Sequence, residues 1–198
     1  MTSDGDLRRD LPIFEIYVGR GGARLEIHPW FFVAGRQYLG MTRVLPPGTG
    51  RAPTHVHTGV VQRSFLLAGA QAGYRNGGRT RTLSPGDDMI IEPGVPHTDP
   101  YNDTDAPIVV RSLYSPGPVW LLSFARTLGQ ALRDGKVNSQ QELHLPHLLM
   151  MLGTPGSVTF AAGIPLGVQR RILLPAATRF AKHRGHAPAA GLRAHIFR

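Results

Sequence analysis

The sequence predicts a mainly β fold, a jelly-roll β-barrel followed by a C-terminal helical tail. Three observations lead to this prediction. Glycine and proline are frequent, at 24 and 17 of 198 residues, and follow no fixed period. Short apolar segments bounded by turn residues fill residues 24–116, and apolar residues at helical spacing follow Pro118. Many short strands joined by turns are typical of barrels and jelly rolls.

The strands are predicted where apolar segments lie between turn residues. The Asn76-Gly77 pair predicts a hairpin, because a tight turn between twisted strands needs residues that accept positive φ. Proline and glycine punctuate the chain in the same way at residues 46–48 and 84–87. The predicted strands are residues 25–34, 38–45, 60–67, 70–75, 89–91 and 108–114, with an edge strand at 13–18.

Helical patterns begin after Pro118. Apolar residues recur at helical spacing over residues 119–132, which predicts a first helix. Ser139 followed by Glu142 resembles a capping box that opens a second helix. A third helix is predicted over residues 165–184, although a proline at position 175 would kink or split it.

The length allows one domain with a sizeable core and an appendage. We divide the chain into a polar lead-in at residues 1–23, a β-barrel at residues 24–116 and a helical tail at residues 117–198. An apolar content of 41% and a charged content of 18% are those of a globular protein.

The net charge of +9 is concentrated in the tail. Residues 143–198 hold seven basic residues and no acidic one, whereas the first 142 residues hold 15 basic and 13 acidic ones. The basic residues lack interleaved aromatic partners, and no nucleic-acid-binding module is recognised. We therefore predict no nucleic-acid partner. Residues 164–198 are basic and partly apolar, which is compatible with a helix that packs on the barrel or with a peripheral membrane contact. We favour the helix that packs on the barrel.

The polar N-terminal residues are unlike a signal peptide, and no apolar stretch approaches the length of a membrane-spanning helix. We therefore predict a cytoplasmic protein. The chain contains no cysteine, so a bound metal must be held by imidazole, carboxylate, amide or water.

Three histidines carry the strongest functional signal. His55 and His57 are separated by one residue, and side chains two apart on a strand point to the same face. Both imidazoles can then reach one ion at about 2 Å. His97 follows a turn, a short apolar strand and a second turn, and it is predicted to join them from a neighbouring strand.

The two segments around these histidines resemble the paired motifs of the cupin superfamily over residues 38–115. The resemblance implies a jelly-roll barrel with His55, His57 and His97 as metal ligands. Its second motif departs at two places: Glu92 stands at the usual proline, and Asn102 lies one residue later than the family's asparagine. The residues that keep the family spacing are His55, His57, Gly69, Gly86, Asp87, Gly94 and His97.

Gln62 stands where the family has a glutamate ligand. An amide oxygen can still coordinate a cation, but it removes one negative charge from the shell. The interpretation of Gln62 as a fourth ligand is as well supported as that of a polar residue that orients water beside the metal. In both interpretations the loss of the glutamate implies a more positive centre, which favours anionic substrates or bound hydroxide.

Other polar residues are weaker candidates for the pocket. Arg111 alternates with apolar residues and is predicted to face solvent rather than to act as an anion clamp inside the barrel. Tyr38, Arg43 and Tyr74 are further pocket candidates. No general base is assigned, and the catalytic residues are left open.

We therefore predict a metal-binding protein and, as the first hypothesis, a metal-dependent, oxygenase-like or isomerase-like enzyme that acts on a small organic substrate. The implied cofactor is a divalent transition metal, with Fe(II) first on family frequency and Mn, Ni, Cu or Zn also compatible. The alternative is a non-catalytic barrel that binds or senses a small ligand. A homodimer is expected, because barrels of this kind often pair their sheets.

Overall fold

The structure, a computed structural model, describes residues 7–8, 10–183 and 185. Its ten strands are short and mostly lie where turn residues bound apolar segments. They are β1 (Glu15–Val18), β2 (Arg24–Val33), β3 (Arg36–Leu45), β4 (His55–His57), β5 (Val61–Ala68), β6 (Ala72–Asn76), β7 (Arg79–Leu83), β8 (Met89–Ile91), β9 (Ile108–Ser115) and β10 (Thr159–Ala161). The helices are α1 (Val119–Arg133), α2 (Leu145–Leu152), α3 (Leu166–Val168) and α4 (Leu174–His183), and a π-helical turn, Gln169–Leu173, joins the last two.

Six strands form one antiparallel sheet in the order β1-β2-β3-β9-β5-β8. Strands β6 and β7 form a separate hairpin, which confirms the hairpin prediction. Its turn lies at Gly77 and Gly78, both with positive φ, while Asn76 is the last residue of β6 and pairs with Arg79. Strand β4 pairs with β10, which comes from the far end of the chain. The fold is therefore mainly β, as the sequence predicts.

The sheets are not closed into a barrel, and in this respect the prediction is wrong. In the described part of the chain, β6 meets the rest of the fold through isolated pairs at Gly73–Tyr101 and Asn76–His97. Prolines lie in the connections at residues 46–54 and 92–100. Because proline has no N–H to donate, these segments cannot carry a continuous ladder from one sheet to the next.

The main sheet has two buried faces. Met41 and Leu45 of β3, with Val110 of β9, line a cavity on one face. The other face carries Arg111, whose Nε donates to Thr42 Oγ1 at 3.1 Å. Arg111 is only 5% exposed, so the prediction that it faces solvent is wrong. Residues 7–8 and 10–12 cover this face, since Arg111 also donates to the Leu7 carbonyl and His28 contacts the Pro12 carbonyl. Alternation along a strand cannot reveal such a cover.

Helices α1 and α2 cover the cavity side of the sheet. Helix α1 spans the residues predicted for it, and both helices share a core with β2 and β3. The prediction for the second helix is wrong at its start. Residues 139–142 form a loop held by the Asn138 side chain, which accepts from the backbone N–H groups of Gln140 and Glu142, and α2 begins only at Leu145.

The chain after Pro118 is helical over much of its described length, but it also contains β10. A helical tail as a separate unit is therefore not clearly confirmed. Residues 184 and 186–198 lie outside the described residues, and the proposed boundaries at 23/24 and 116/117 stay predictions. Among the described residues, no helix is long and apolar enough to cross a membrane.

Candidate metal centre

The three predicted histidines come together in the structure. His55 and His57 lie on β4, and the backbone of His97 exchanges two hydrogen bonds of 2.9 Å with that of His55. One ring nitrogen from each histidine lies within 4.8 Å of the other two. His57 and His97 are buried, whereas His55 is partly open toward the cavity.

The outward ring nitrogens are all engaged by protein groups. Nδ1 of His55 donates to the Pro53 carbonyl at 2.9 Å, and Nδ1 of His97 donates to the Val95 carbonyl at 2.8 Å. Nδ1 of His57 lies 2.8 Å from Thr159 Oγ1. A carbonyl can only accept, so a neutral His55 or His97 carries its proton on Nδ1 and its lone pair on Nε2.

Gln62 joins the same cluster from β5. Its amide oxygen, Oε1, lies 3.0 Å from Nε2 of His57 and 3.0 Å from Nε2 of His97. The orientation of the amide follows from Asp99: its Oδ1 is 2.7 Å from the amide nitrogen, and a carboxylate can only accept. The amide oxygen must therefore face the imidazoles.

The lone pairs of His97 Nε2 and Gln62 Oε1 point at each other. With its proton on Nδ1, His97 has no hydrogen to offer the Gln62 oxygen, so two acceptors meet at 3.0 Å. A cation among them removes this repulsion. Ligand atoms about 2.1 Å from a metal and at right angles to each other are about 3 Å apart. This is the separation between Gln62 Oε1 and Nε2 of each of His57 and His97. The residues present therefore fit a divalent metal.

The charge states also suit metal binding. Burial lowers the pKa of His57 to about 3 and that of His97 to about 4, and each shift is reinforced by a neighbouring histidine. Both rings are neutral at pH 7 and keep a free lone pair. Burial alone would raise the pKa of Asp99, but the adjacent His55 and His97 and the Gln62 amide lower it, so Asp99 is a carboxylate.

Asp99 changes the expected charge of the centre. The glutamine at position 62 leaves the nearest shell without a carboxylate, but Asp99 places one negative charge directly behind that glutamine. The centre is therefore less positive than the sequence implies, which weakens the expected preference for anionic substrates.

Thr159 is predicted to support metal binding through His57. Replacing it by valine keeps the shape of the side chain but removes the 2.8 Å contact that orients the His57 ring. Loss of such a supporting hydrogen bond lowers metal affinity by about 10–100-fold. Metal affinity is measured by competition with a chelator of known affinity.

Thr82→Val is the matched control, because Thr82 is exposed on β7, away from the histidines. Equal metal affinities for the two variants would contradict the role of Thr159.

A cavity of about 150 Å³ opens beside the histidines. His55, His57 and Asp99 form part of one end, and side chains of α1 and α2 form much of the opposite wall. Arg43, one of the predicted pocket residues, lines it and pairs with Glu142 at 2.7 Å. Metal, if bound, is thus accessible to a small molecule from this cavity.

Residues 41–114 match the family description "Cupin domain". The chain contains a cupin domain. The match spans the two motifs, the strand-rich segment between them and all three histidines, so the resemblance inferred from the sequence is confirmed. No curated protein matches the chain in sequence.

Solved structures with similar folds include other cupins. An uncharacterized conserved protein from Klebsiella pneumoniae with a double-stranded β-helix domain is 23% identical, with a TM-score of 0.41, over 51% of this chain and 84% of that one. An RmlC-like cupin from Shewanella frigidimarina is 17% identical, with a TM-score of 0.40, over 52% and 84%. The DMSP lyase DddQ from Ruegeria pomeroyi is 28% identical, with a TM-score of 0.34, over 39% and 38%.

The remaining candidate residues lie away from the histidines. Glu92 is exposed in a turn, apart from the histidines, and Asn102 is buried, where its amide donates to the Leu45 and Ala106 carbonyls. Tyr38 lies on the opposite face of the sheet, and Tyr74 packs beside the hairpin core.

Sequence reasoning missed Asp99, Thr159 and Glu142 as parts of the site. Asp99 had a weak signal, since it lies two residues after His97, the spacing that made His55 and His57 a pair. Thr159 and Glu142 had no sequence signal. Thr159 lies 102 residues after its partner His57, and Glu142 lies 99 residues after its partner Arg43.

Proposed function

We propose that the chain binds one divalent transition metal through His55, His57 and His97, with the Gln62 amide oxygen as a fourth ligand, and acts as a metal-dependent enzyme on a small organic substrate. The observation that carries the proposal is the 3.0 Å approach of two acceptors, Nε2 of His97 and Oε1 of Gln62, beside the ring nitrogens of His55 and His57. Imidazole and amide ligands suit Fe(II), the first choice, and also Mn, Ni, Cu and Zn.

A metal at this site would supply Lewis-acid or redox chemistry, and the protein residues have separate roles around it. The carbonyls of Pro53 and Val95 hold the rings of His55 and His97 in the ligating tautomer. Asp99 fixes the Gln62 amide and places a compensating charge behind it. Helices α1 and α2 line the cavity where a substrate would lie with apolar side chains, which would help to exclude water.

Metal analysis of the protein purified without added metals tests this proposal. The expected result is a stoichiometric transition metal, together with oxygen consumption in the presence of a substrate if the metal is Fe(II). Protein that is folded, metal-free and unable to take up any of the five metals would overturn the proposal.

Gln62→Glu is expected to act in opposite directions on the metal-free and metal-loaded protein. Without metal, the new carboxylate lies beside Asp99 and loses the amide N–H that Asp99 accepts, so the melting temperature falls. With metal, a full charge at a ligand position raises affinity by about tenfold or more, since tenfold needs only about 1.4 kcal/mol of added attraction.

Thermal unfolding with and without metal, combined with a metal titration, measures both effects. Gln71→Glu is the control, because Gln71 is exposed in the turn before β6. A Gln62→Glu variant whose metal affinity equals that of the wild type would show that residue 62 does not ligate.

A second candidate function is a non-catalytic module that binds or senses a small ligand. Its support is the glutamine in place of a carboxylate ligand. Four further statements stay predictions: that the protein is a homodimer, that it is cytoplasmic, that it has no nucleic-acid partner, and that residues 164–198 pack on the domain rather than contact a membrane.

A further inference from the structure

The cavity wall opposite the histidines is apolar. Helix α1 contributes Trp120, Phe124 and Leu128 to it, and α2 contributes Leu148, Leu149 and Leu152. The one polar atom of the indole is directed elsewhere: Nε1 of Trp120 donates to the Met151 carbonyl at 2.9 Å and to Thr154 Oγ1 at 2.8 Å. The Trp120 ring stacks on Phe124, with 5.5 Å between ring centroids, and the apolar part of the ring lines the cavity.

The charged groups around the cavity are paired within the protein. Arg43 pairs with Glu142 at 2.7 Å and also donates to the Gln141 carbonyl at 3.4 Å. Burial lowers the pKa of Arg43, but the Glu142 carboxylate more than offsets this and raises it, so Arg43 is a cation that is already neutralised. Asp99 accepts a hydrogen bond from the amide N–H of Gln62.

Most other polar side chains that line the cavity also have protein partners. Ser112 Oγ is 2.8 Å from Ser64 Oγ, and Thr159 contacts His57. A charged or polyhydroxylated ligand would lose hydrogen bonds to water on entering and would meet few open partners along the helical wall. Burial of polar groups without partners costs binding free energy, whereas burial of hydrocarbon provides it.

The volume limits the size of the ligand. An apolar cavity of about 150 Å³ in another protein holds one benzene molecule, and the cavity here has about the same volume.

From these features we infer that the site takes a small, uncharged ligand with an apolar body of about one six-membered ring, its oxygen atoms directed toward the histidines. Only the role given to the histidine end of the cavity, where the metal would bind, rests on the proposed function. The apolar wall and the internal ion pair disfavour a polyhydroxylated body, and the volume limits the body to about one ring.

Calorimetric titration with two ring alcohols tests the inference. Cyclohexanol and myo-inositol have the same six-carbon ring, but the first carries one hydroxyl and the second carries six. The titration is made with chelator-treated protein and with Zn²⁺-loaded protein. Cyclohexanol is expected to bind at least about tenfold more tightly than myo-inositol in both forms, because five additional hydroxyls would lose water.

A wall variant locates the binding. Leu149→Asn places an amide on the apolar wall and is expected to weaken cyclohexanol binding about tenfold, whereas Leu173→Asn, at a 43%-exposed position outside the cavity lining, leaves it unchanged. Circular dichroism confirms that each variant is folded, and Leu148→Asn repeats the test if Leu149→Asn does not fold.

The outcomes separate the two proposals. Preference for myo-inositol, or failure to bind cyclohexanol, overturns the apolar-ligand inference even where Zn²⁺ binds. Cyclohexanol binding by a protein that takes up no metal supports the inference and overturns the proposed metal function. Equal effects of Leu149→Asn and Leu173→Asn would show that cyclohexanol binds elsewhere and would overturn the assignment to this cavity.

Discussion

His97→Ala is expected to abolish stoichiometric metal binding. The substitution removes one of three imidazoles and also leaves the Gln62 amide oxygen beside a void. Loss of a supporting group alone lowers metal affinity by about 10–100-fold, so loss of a direct ligand is expected to exceed about 100-fold. Elemental analysis of the purified variant and a competition titration measure the loss, and any metal-dependent activity is expected to disappear with it.

His183→Ala is the matched control, because His183 is exposed at the end of α4. The same metal content in His97→Ala and in the wild type would contradict the assignment of the centre. His97 is fully buried, and its backbone pairing with His55 does not depend on its side chain, so the variant is expected to fold.

Phe160→Ala is expected to destabilise the fold by about 3–5 kcal/mol, the usual cost of deleting a buried aromatic ring. Phe160 is 2% exposed, packs in the core shared by the sheet, α1 and α2, and lies opposite Val56 in the β4–β10 pair. A loss of this size is a large fraction of the 5–15 kcal/mol that stabilises an ordinary domain. Urea unfolding measures it as a lower midpoint at an unchanged slope.

Phe32→Ala provides the comparison, since Phe32 is 70% exposed on β2 and its removal is expected to change the stability by less than about 0.5 kcal/mol. A cost below about 1 kcal/mol for Phe160→Ala would show that β10 is not part of the core. In that case Thr159 would also lose its fixed position beside His57.

Local chemistry made much of the fold predictable. Glycine and proline marked the turns, and the spacing of apolar residues along residues 119–132 predicted α1 in full, because a helix depends on contacts three and four residues apart. The capping-box prediction failed at Glu142, whose carboxylate pairs with Arg43 instead of capping a helix. A local pattern cannot show that a distant cation competes for the same side chain.

For a related reason, the sequence could not predict whether residues on the far face of the sheet are exposed or buried. Alternation along β9 correctly separates Arg111 from the face that carries Val110 and Ser112, but it does not say what lies over each face. Residues 7–8 and 10–12 cover Arg111, and the contact between Arg111 and Leu7 joins parts of the chain about 100 residues apart.

The metal trio shows the same division. The sequence by itself determined that His55, His57 and His97 belong together, because two motifs keep a known spacing and a strand places alternate residues on one face. Only the tertiary structure decided what surrounds them: Asp99 behind Gln62, Thr159 on His57, and an apolar wall from α1 and α2. These groups meet through folding across many tens of residues, and neither strand nor helix periodicity records such contacts.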